Sequence, residues 1–139
     1  MKLQKNTLFA LYSVLESASR PERQRSAGEI ARKYRISPHH LAKVLHTLAQ
    51  AGVVESVRGV GGGYRFAGNA KRLTLMNVIE LFETIGAPAR GAAPRRRGSA
   101  GVERAVGTVL AEIDAMAEAT LRSISVATLL KLMARQQRV

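Results

Sequence analysis

The chain has 139 residues with no cysteine and no tryptophan, and its 22 Lys and Arg against 10 Asp and Glu leave a formal charge of +12. That length suits one domain, or one domain with a long helical extension, and enough apolar residues to close a core without covalent staples. Zero cysteine excludes disulfides, thiolate zinc sites, cysteine-ligated iron–sulfur clusters and cysteine nucleophiles.

No apolar run reaches the ~18 residues of a membrane span, and the polar start Met1 to Thr7 lacks the hydrophobic region of a signal peptide. The expectation is a cytoplasmic protein with no membrane partner. So strong a positive charge attracts a polyanion, nucleic acid first, although a basic surface also serves anionic membranes or solubility. The charge is uneven: residues 1–86 carry a net +7, residues 87–101 a net +4, and residues 102–139 only +1. A basic working half is thus followed by a segment with a different task.

In chain order, Leu8, Leu11, Tyr12, Leu15 and Ala18 recur at spacings of three and four, which predicts an amphipathic helix from Thr7 to Ala18. It stops near Arg20-Pro21, and Pro21 to Arg25 reads as a loop. Ser26 followed by Glu29 is a capping-box pattern that opens a short helix through Tyr34, with Ile30 and Ala31 inward. Ser37 is the next N-cap, with Pro38 at the first helical position, where its missing N–H costs nothing. Leu41, Val44, Leu45 and Leu48 share one face of that helix until Gly52 ends it. Two helices joined by so short a turn form a helix-turn-helix.

Beyond Gly52 the period becomes extended. Val53, Val54 and Val57 read as a strand, Gly59 to Gly63 as a glycine-rich turn, and Tyr64 to Phe66 as the return strand. A hairpin after a helix-turn-helix is the order of a winged helix. Thr74 caps a further helix, with Val78, Ile79, Leu81, Phe82 and Ile85 inward, running to Gly86.

Gly86 to Gly101 contains only Gly, Ala, Pro, Arg and one Ser, and is expected to be a mobile loop. Its Arg95, Arg96 and Arg97 either touch DNA or keep the loop extended. From Val102, the set Val102, Val106, Val109, Ile113, Met116 and Thr120 keeps a seam on one helix face, widened by Leu110, Ala117 and Leu121. A helix of some twenty residues spans about 30 Å, too long for a small winged helix to cover, and its natural partner is a copy of itself. Ser125 caps a last short helix through Leu129, Leu130 and Leu132, followed by a basic tail expected to fray. The organisation is therefore mainly α with one small hairpin: a DNA-binding unit at 1–85, a flexible linker at 86–101, and a dimerisation segment at 102–139.

The candidate recognition helix runs from Ser37 to Ala51. With its leucines and valine buried, the opposite face shows His39, His40, Lys43, His46, Thr47 and Gln50, all able to donate hydrogen bonds to phosphates or base edges. The alternative is an ordinary solvated face. A metal site fits poorly, because His39 and His40 point about 100° apart and His46 lies nearly two turns away.

The wing, Arg58-Gly59-Val60-Gly61-Gly62-Gly63-Tyr64-Arg65, lets the backbone approach a phosphate or groove floor, and Arg58 suits a narrow minor groove. A tight hairpin without a ligand is the plainer alternative. No Gly-Lys-Ser/Thr follows, so the run is not a phosphate loop. Lys2, Lys5, Arg23, Arg25, Arg32 and Lys33 are either phosphate contacts or solvated charges. No catalytic constellation is present, no enzyme is expected, and no cofactor is assigned.

Several runs taken together resemble the Rrf2 family of bacterial transcription regulators. They are Leu3-x-x-x-Thr7-x-x-Ala10-Leu11, Ile30-Ala31 to Ile36-Ser37-x-x-x-Leu41, Leu48-x-x-Ala51-Gly52-Val53-Val54, Val57-Arg58-Gly59-x-Gly61-Gly62-Gly63-Tyr64, and Ile124-Ser125-Val126-x-x-Leu129-Leu130. The resemblance covers nearly the whole chain. It implies a homodimer built on the long helix, with two winged helices on half-sites of a pseudo-palindrome. Ser37, His39, His40 and Lys43 match the reading face, and Arg58 matches the wing residue of the minor groove.

One departure is large. Many members hold an iron–sulfur cluster through three cysteines in the loop before the dimer helix, and here that loop has none. Ala93, Ser99 and Ala105 stand six apart there, a spacing best ascribed to chance. The expectation is a dimeric, sequence-specific DNA-binding regulator, read as a repressor, without a cluster. It responds to a small molecule or a partner protein, or has no effector. A winged-helix adaptor that binds protein or polyanion without sequence readout is the alternative.

Overall fold

The computed structural model describes residues 1–59, 61–85 and 100–137. In chain order the elements are α1 (Lys5–Ser19), α2 (Ala27–Tyr34), α3 (Pro38–Gln50), β1 (Val54–Val57), β2 (Gly63–Phe66), α4 (Leu75–Ile79), α5 (Ala100–Ser123) and α6 (Val126–Gln137). The expected loop at Gly86 to Gly101 lies outside the described residues as far as Ser99, Arg95 to Arg97 included, whereas Ala100 and Gly101 already belong to α5.

Helix α1 is central, packed against α3, α4, α6 and β2. Its core-facing side differs from the expected leucine face. Thr7, Ala10, Val14 and Ser17 are buried, and of the expected set Ala18 is buried too, while Leu8, Leu11 and Leu15 are half-buried and Tyr12 is exposed. The true face is offset by one residue, about 100° around the helix. Small side chains let several elements approach one helix closely, and Leu11 and Leu15 fill the margins of the same core.

Local signals fix α2 and α3. The Ser26 hydroxyl accepts a hydrogen bond from the Glu29 backbone N–H at 3.1 Å, and α2 buries Ile30 and Ala31 as expected. Arg35 closes α2 in the left-handed region, at φ 54°, with its N–H on the Ala31 carbonyl. In α3, Pro38 occupies the first turn, and Leu41, Val44, Leu45 and Leu48 are buried. Ser37 stands at the N-cap position, but its side chain makes no capping bond.

Gly52, at φ 78°, turns the chain out of α3, and the Val53 N–H bonds back to the Leu48 carbonyl at 3.0 Å. Strands β1 and β2 pair antiparallel in the register Val54 with Phe66 through Val57 with Gly63. Val53, Val54 and Phe66 join the core of α1, α2 and α3.

Two helix lengths depart from expectation. Helix α4 has a full capping box, with the Thr74 side chain accepting from Asn77 N–H and the Asn77 side chain accepting from Thr74 N–H, but it stops at Ile79 rather than near Gly86. The turn that follows lets Glu83 reach the start of α1, where its carboxylate accepts from Gln4 N–H at 2.8 Å and from the Thr7 hydroxyl. A carboxylate from 76 residues away thus caps α1. Helix α6, expected to be short with a frayed tail, is continuous to Gln137.

Leu75, Met76 and Ile79 form a second apolar cluster with Leu121, Ile124 and Leu129, which fastens the end of α5 and the start of α6 to α4. The backbone reinforces this: Leu75 N–H bonds to Ile124 O at 2.9 Å, and Val126 N–H to Leu73 O at 2.8 Å. Val126 is fully buried in the main core. The last helix thereby packs into the unit formed by the first 85 residues.

Candidate nucleic-acid interface

The burial of four apolar residues on one side of α3 fixes what the other side presents. His39, His40, Lys43, His46 and Gln50 are exposed, and so is Ser37 at the helix start. The His39 and His40 rings lie 6.2 Å apart and tilted by 59°. Thr47 is half-buried and donates its hydroxyl to the Lys43 carbonyl at 3.2 Å. No charged side chain of this face is paired among the described residues, so the Lys43 ammonium is available to a ligand.

The wing is tied down at its base. Arg25 and Tyr64 exchange two backbone hydrogen bonds, both 2.8 Å, which adds residue 25 as a short third strand beside β2. This approach explains Gly63, since a Cβ there would sit 2.3 Å from the Arg25 carbonyl oxygen. At the tip, Gly59 takes φ 122°, a conformation that side chains rarely adopt, and its carbonyl accepts from Gly62 N–H at 2.9 Å. Gln24 donates to the Gly61 carbonyl at 2.7 Å. Arg58 and Gly61 are exposed, and Gly62 and Tyr64 are half-buried. Arg65 is paired with Glu55 across the strands at 2.6 Å. Val60 lies outside the described residues.

Lys2, Lys5 and Arg32 are exposed, and the Arg32 Nε donates to Gly28 O at 3.3 Å. Lys33 directs its ammonium to Glu16. Glu16 is a hub that the helical pattern did not reveal. The residue is 6% exposed, and its carboxylate receives Lys33, the Tyr34 hydroxyl and Arg25, the last at 3.5 Å. Burial opposes its ionisation, but the hydrogen bonds from Lys33 and Tyr34 and the nearby cations outweigh this and hold its pKa below the ordinary value of 4.5. The Tyr34 hydroxyl is pushed well up, first by burial and then by its bond to the charged Glu16. Tyr34 also stacks on Tyr12 at 5.2 Å, which accounts for that exposed aromatic.

Helix α5 buries none of its 24 residues. Val102, Val106, Val109, Leu110, Ile113 and Met116 are between 52% and 68% exposed. Its far end is fastened through Leu121 and through Arg122, which pairs with Glu80 at 2.9 Å and Glu118 at 3.1 Å.

A helix-turn-helix with a hairpin wing behind its second helix defines the winged helix-turn-helix class. The family model described as Rrf2, an iron-dependent transcriptional regulator, matches residues 3–132. A Rhodopseudomonas palustris protein named as the HTH-type transcriptional regulator BadM is 52% identical over 138 residues, covering 99% of this chain and 86% of that protein. Among solved structures, IscR of T. potens superposes with a TM-score of 0.76 at 24% identity, covering 99% of this chain and 91% of that one. CymR (YrzC), the global cysteine regulator of B. subtilis, superposes with a TM-score of 0.75 at 22% identity, covering 95% and 98%. These two likenesses establish the fold.

The chain belongs to the Rrf2 family of transcriptional regulators, a family of DNA-binding regulators and not of enzymes. The family's iron does not fit the residues present. The sequence contains no cysteine, and among the described residues no three His, Cys, Asp or Glu side chains gather as a metal would need. The three histidines all lie on the exposed face of α3. No helix among the described residues is long and apolar enough to cross a membrane.

Proposed function

We propose that the chain is a homodimeric, sequence-specific DNA-binding repressor that acts without an iron–sulfur cluster. The observation that carries this reading is the face of α3, where His39, His40, Lys43 and His46 are exposed and without a hydrogen-bond or ion-pair partner among the described residues, while four buried residues anchor the helix from behind. On this reading Ser37, His39, His40, Lys43, His46 and Thr47 enter the major groove, where imidazole, ammonium and hydroxyl donors meet the N7 and O6 acceptors of guanine.

Arg58 enters the minor groove from the wing, with Gly59, Gly61, Gly62, Gly63 and Tyr64 letting the backbone come close. Lys2, Lys5 and Arg32 supply phosphate contacts, and Lys33 contributes to the same field from its place on Glu16. Residues 1–85 form the reading unit, into which α6 packs, and within residues 102–139 the dimerising element is α5.

The dimer reading is supported by the exposed apolar seam of α5. A second copy buries Val102, Val106, Val109, Ile113 and Met116 against the same residues and sets two reading helices on one duplex. We read the regulator as a repressor because a dimer seated across a promoter would exclude the polymerase. Such a protein works in the cytoplasm, where the chromosome is.

Selection from random duplex DNA tests the proposal. The expected motif is a pseudo-palindrome with half-sites about one helical turn apart. Recovery of duplexes with no shared motif would contradict it, and would favour an adaptor that holds polyanions without reading sequence.

A further inference from the structure

A cleft of about 520 Å³ opens between the end of α1, α2, the 20–25 segment and α6. One wall is cationic, formed by Arg20, Arg23, Arg25 and Lys33 around the single acid Glu16. The opposite wall is apolar, formed by Leu130, Met133 and Ala134 of α6. Four cations facing one buried carboxylate leave an excess of positive charge. Arg20 has no ion-pair partner among the described residues, and Arg23 reaches Glu29 at only 3.4 Å. Arg25 is the least satisfied: its contact with Glu16 is 3.5 Å, and its buried Nε has no hydrogen-bond partner among the described residues.

We propose that this cleft binds a small amphipathic carboxylate, its head on the arginines and its apolar body against α6, and that occupancy sets the position of the wing. The second half follows from Arg25, whose side chain lines the cleft while its backbone is bonded in both directions to Tyr64 of β2. Its neighbour Gln24 holds the wing tip through the Gly61 carbonyl. A carboxylate that draws the Arg25 guanidinium away from Glu16 pulls on the strand that bears the wing. Lys33, on the first helix of the helix-turn-helix, faces the same acid. Binding is independent of DNA, whereas the regulatory consequence rests on the DNA-binding reading above.

Titration of the full chain with octanoate, followed in ¹H–¹⁵N spectra, tests this. Acetate and inorganic phosphate serve as head-only probes, and octan-1-ol as the tail-only probe. Octanoate is expected to saturate and to shift the amides of Arg25, Gly61 and Tyr64, with each control at least about tenfold weaker. The double variant Arg20→Gln/Arg23→Gln, and separately Ala134→Glu on the facing helix, should each weaken octanoate about tenfold. All three positions are exposed, so the fold is retained.

Absence of saturable shifts overturns the proposal. So do shifts confined to the α5 seam and unchanged in both variants. Phosphate binding as tight as octanoate, with the double variant losing DNA of every sequence equally, would make the cleft a phosphate-contact surface instead. If random-duplex selection fails while octanoate still saturates, the DNA reading falls and the binding site stands.

Discussion

Glu16 shows how one side chain can organise a surface that the helical pattern hides. Its folded pKa lies below 4.5, so its stabilisation is present above the unfolded value and is lost as pH falls through the lowered folded one. Glu16→Gln should therefore cost about 2 kcal/mol at neutral pH, the scale of a charged hydrogen-bonded group, because Arg25 and Lys33 lose their counter-ion. Urea denaturation should show the gap between parent and variant closing well below pH 4.5. A gap that persists there would assign the loss to packing rather than charge.

At Arg58 the expectation concerns DNA. Arg58→Ala should weaken binding most at sites with a narrow minor groove, and an equal loss on all sequences would reduce it to a phosphate contact. At Gly63 the Arg25 carbonyl blocks any Cβ. Gly63→Ala should cost roughly 1–3 kcal/mol as an overpacking change, read as a lowered urea midpoint.

Among the elements, those with dense local signals were legible in the sequence. Helices α2 and α3 and the hairpin each announce themselves by a cap, a proline, a periodic face or a glycine turn within a few residues. The face of α1 was not legible, because its buried side is made of Thr7, Ala10, Val14 and Ser17, small residues that carry little hydrophobic signal. The end of α4 was hidden for a different reason. Leu81, Phe82 and Ile85 are partly buried without being helical, and the capping of α1 by Glu83 spans most of the reading unit. Distance along the chain, more than composition, set the limit on what could be read.

The apolar residues of α5 are exposed, and that exposure makes a strong demand. Val109→Asp or Ile113→Asp should convert dimers to monomers in sedimentation equilibrium, since each buries a charge in the proposed interface. An unchanged mass would remove α5 from that role.

For the whole molecule, the candidate site was legible in outline: the donors of α3 and the glycines of the wing are where the spacing put them. The linkage between Arg25 and the wing was not legible, because it depends on a strand pairing of a single residue. The charge excess of +12 and the missing cysteines acquire separate meanings. The first supplies the long-range attraction that any duplex would feel. The second takes a thiolate-held cluster out of the proposed mechanism.

The central claim is that the exposed face of α3 reads base sequence. Its most direct test is to repeat the random-duplex selection with His40→Ala and Lys43→Ala beside the parent chain. The motif should lose its preference at one or two symmetry-related positions, with a loss of about 1–3 kcal/mol on the parent site. An unchanged motif with uniformly weaker binding would mean that these side chains hold phosphates and that sequence is read elsewhere.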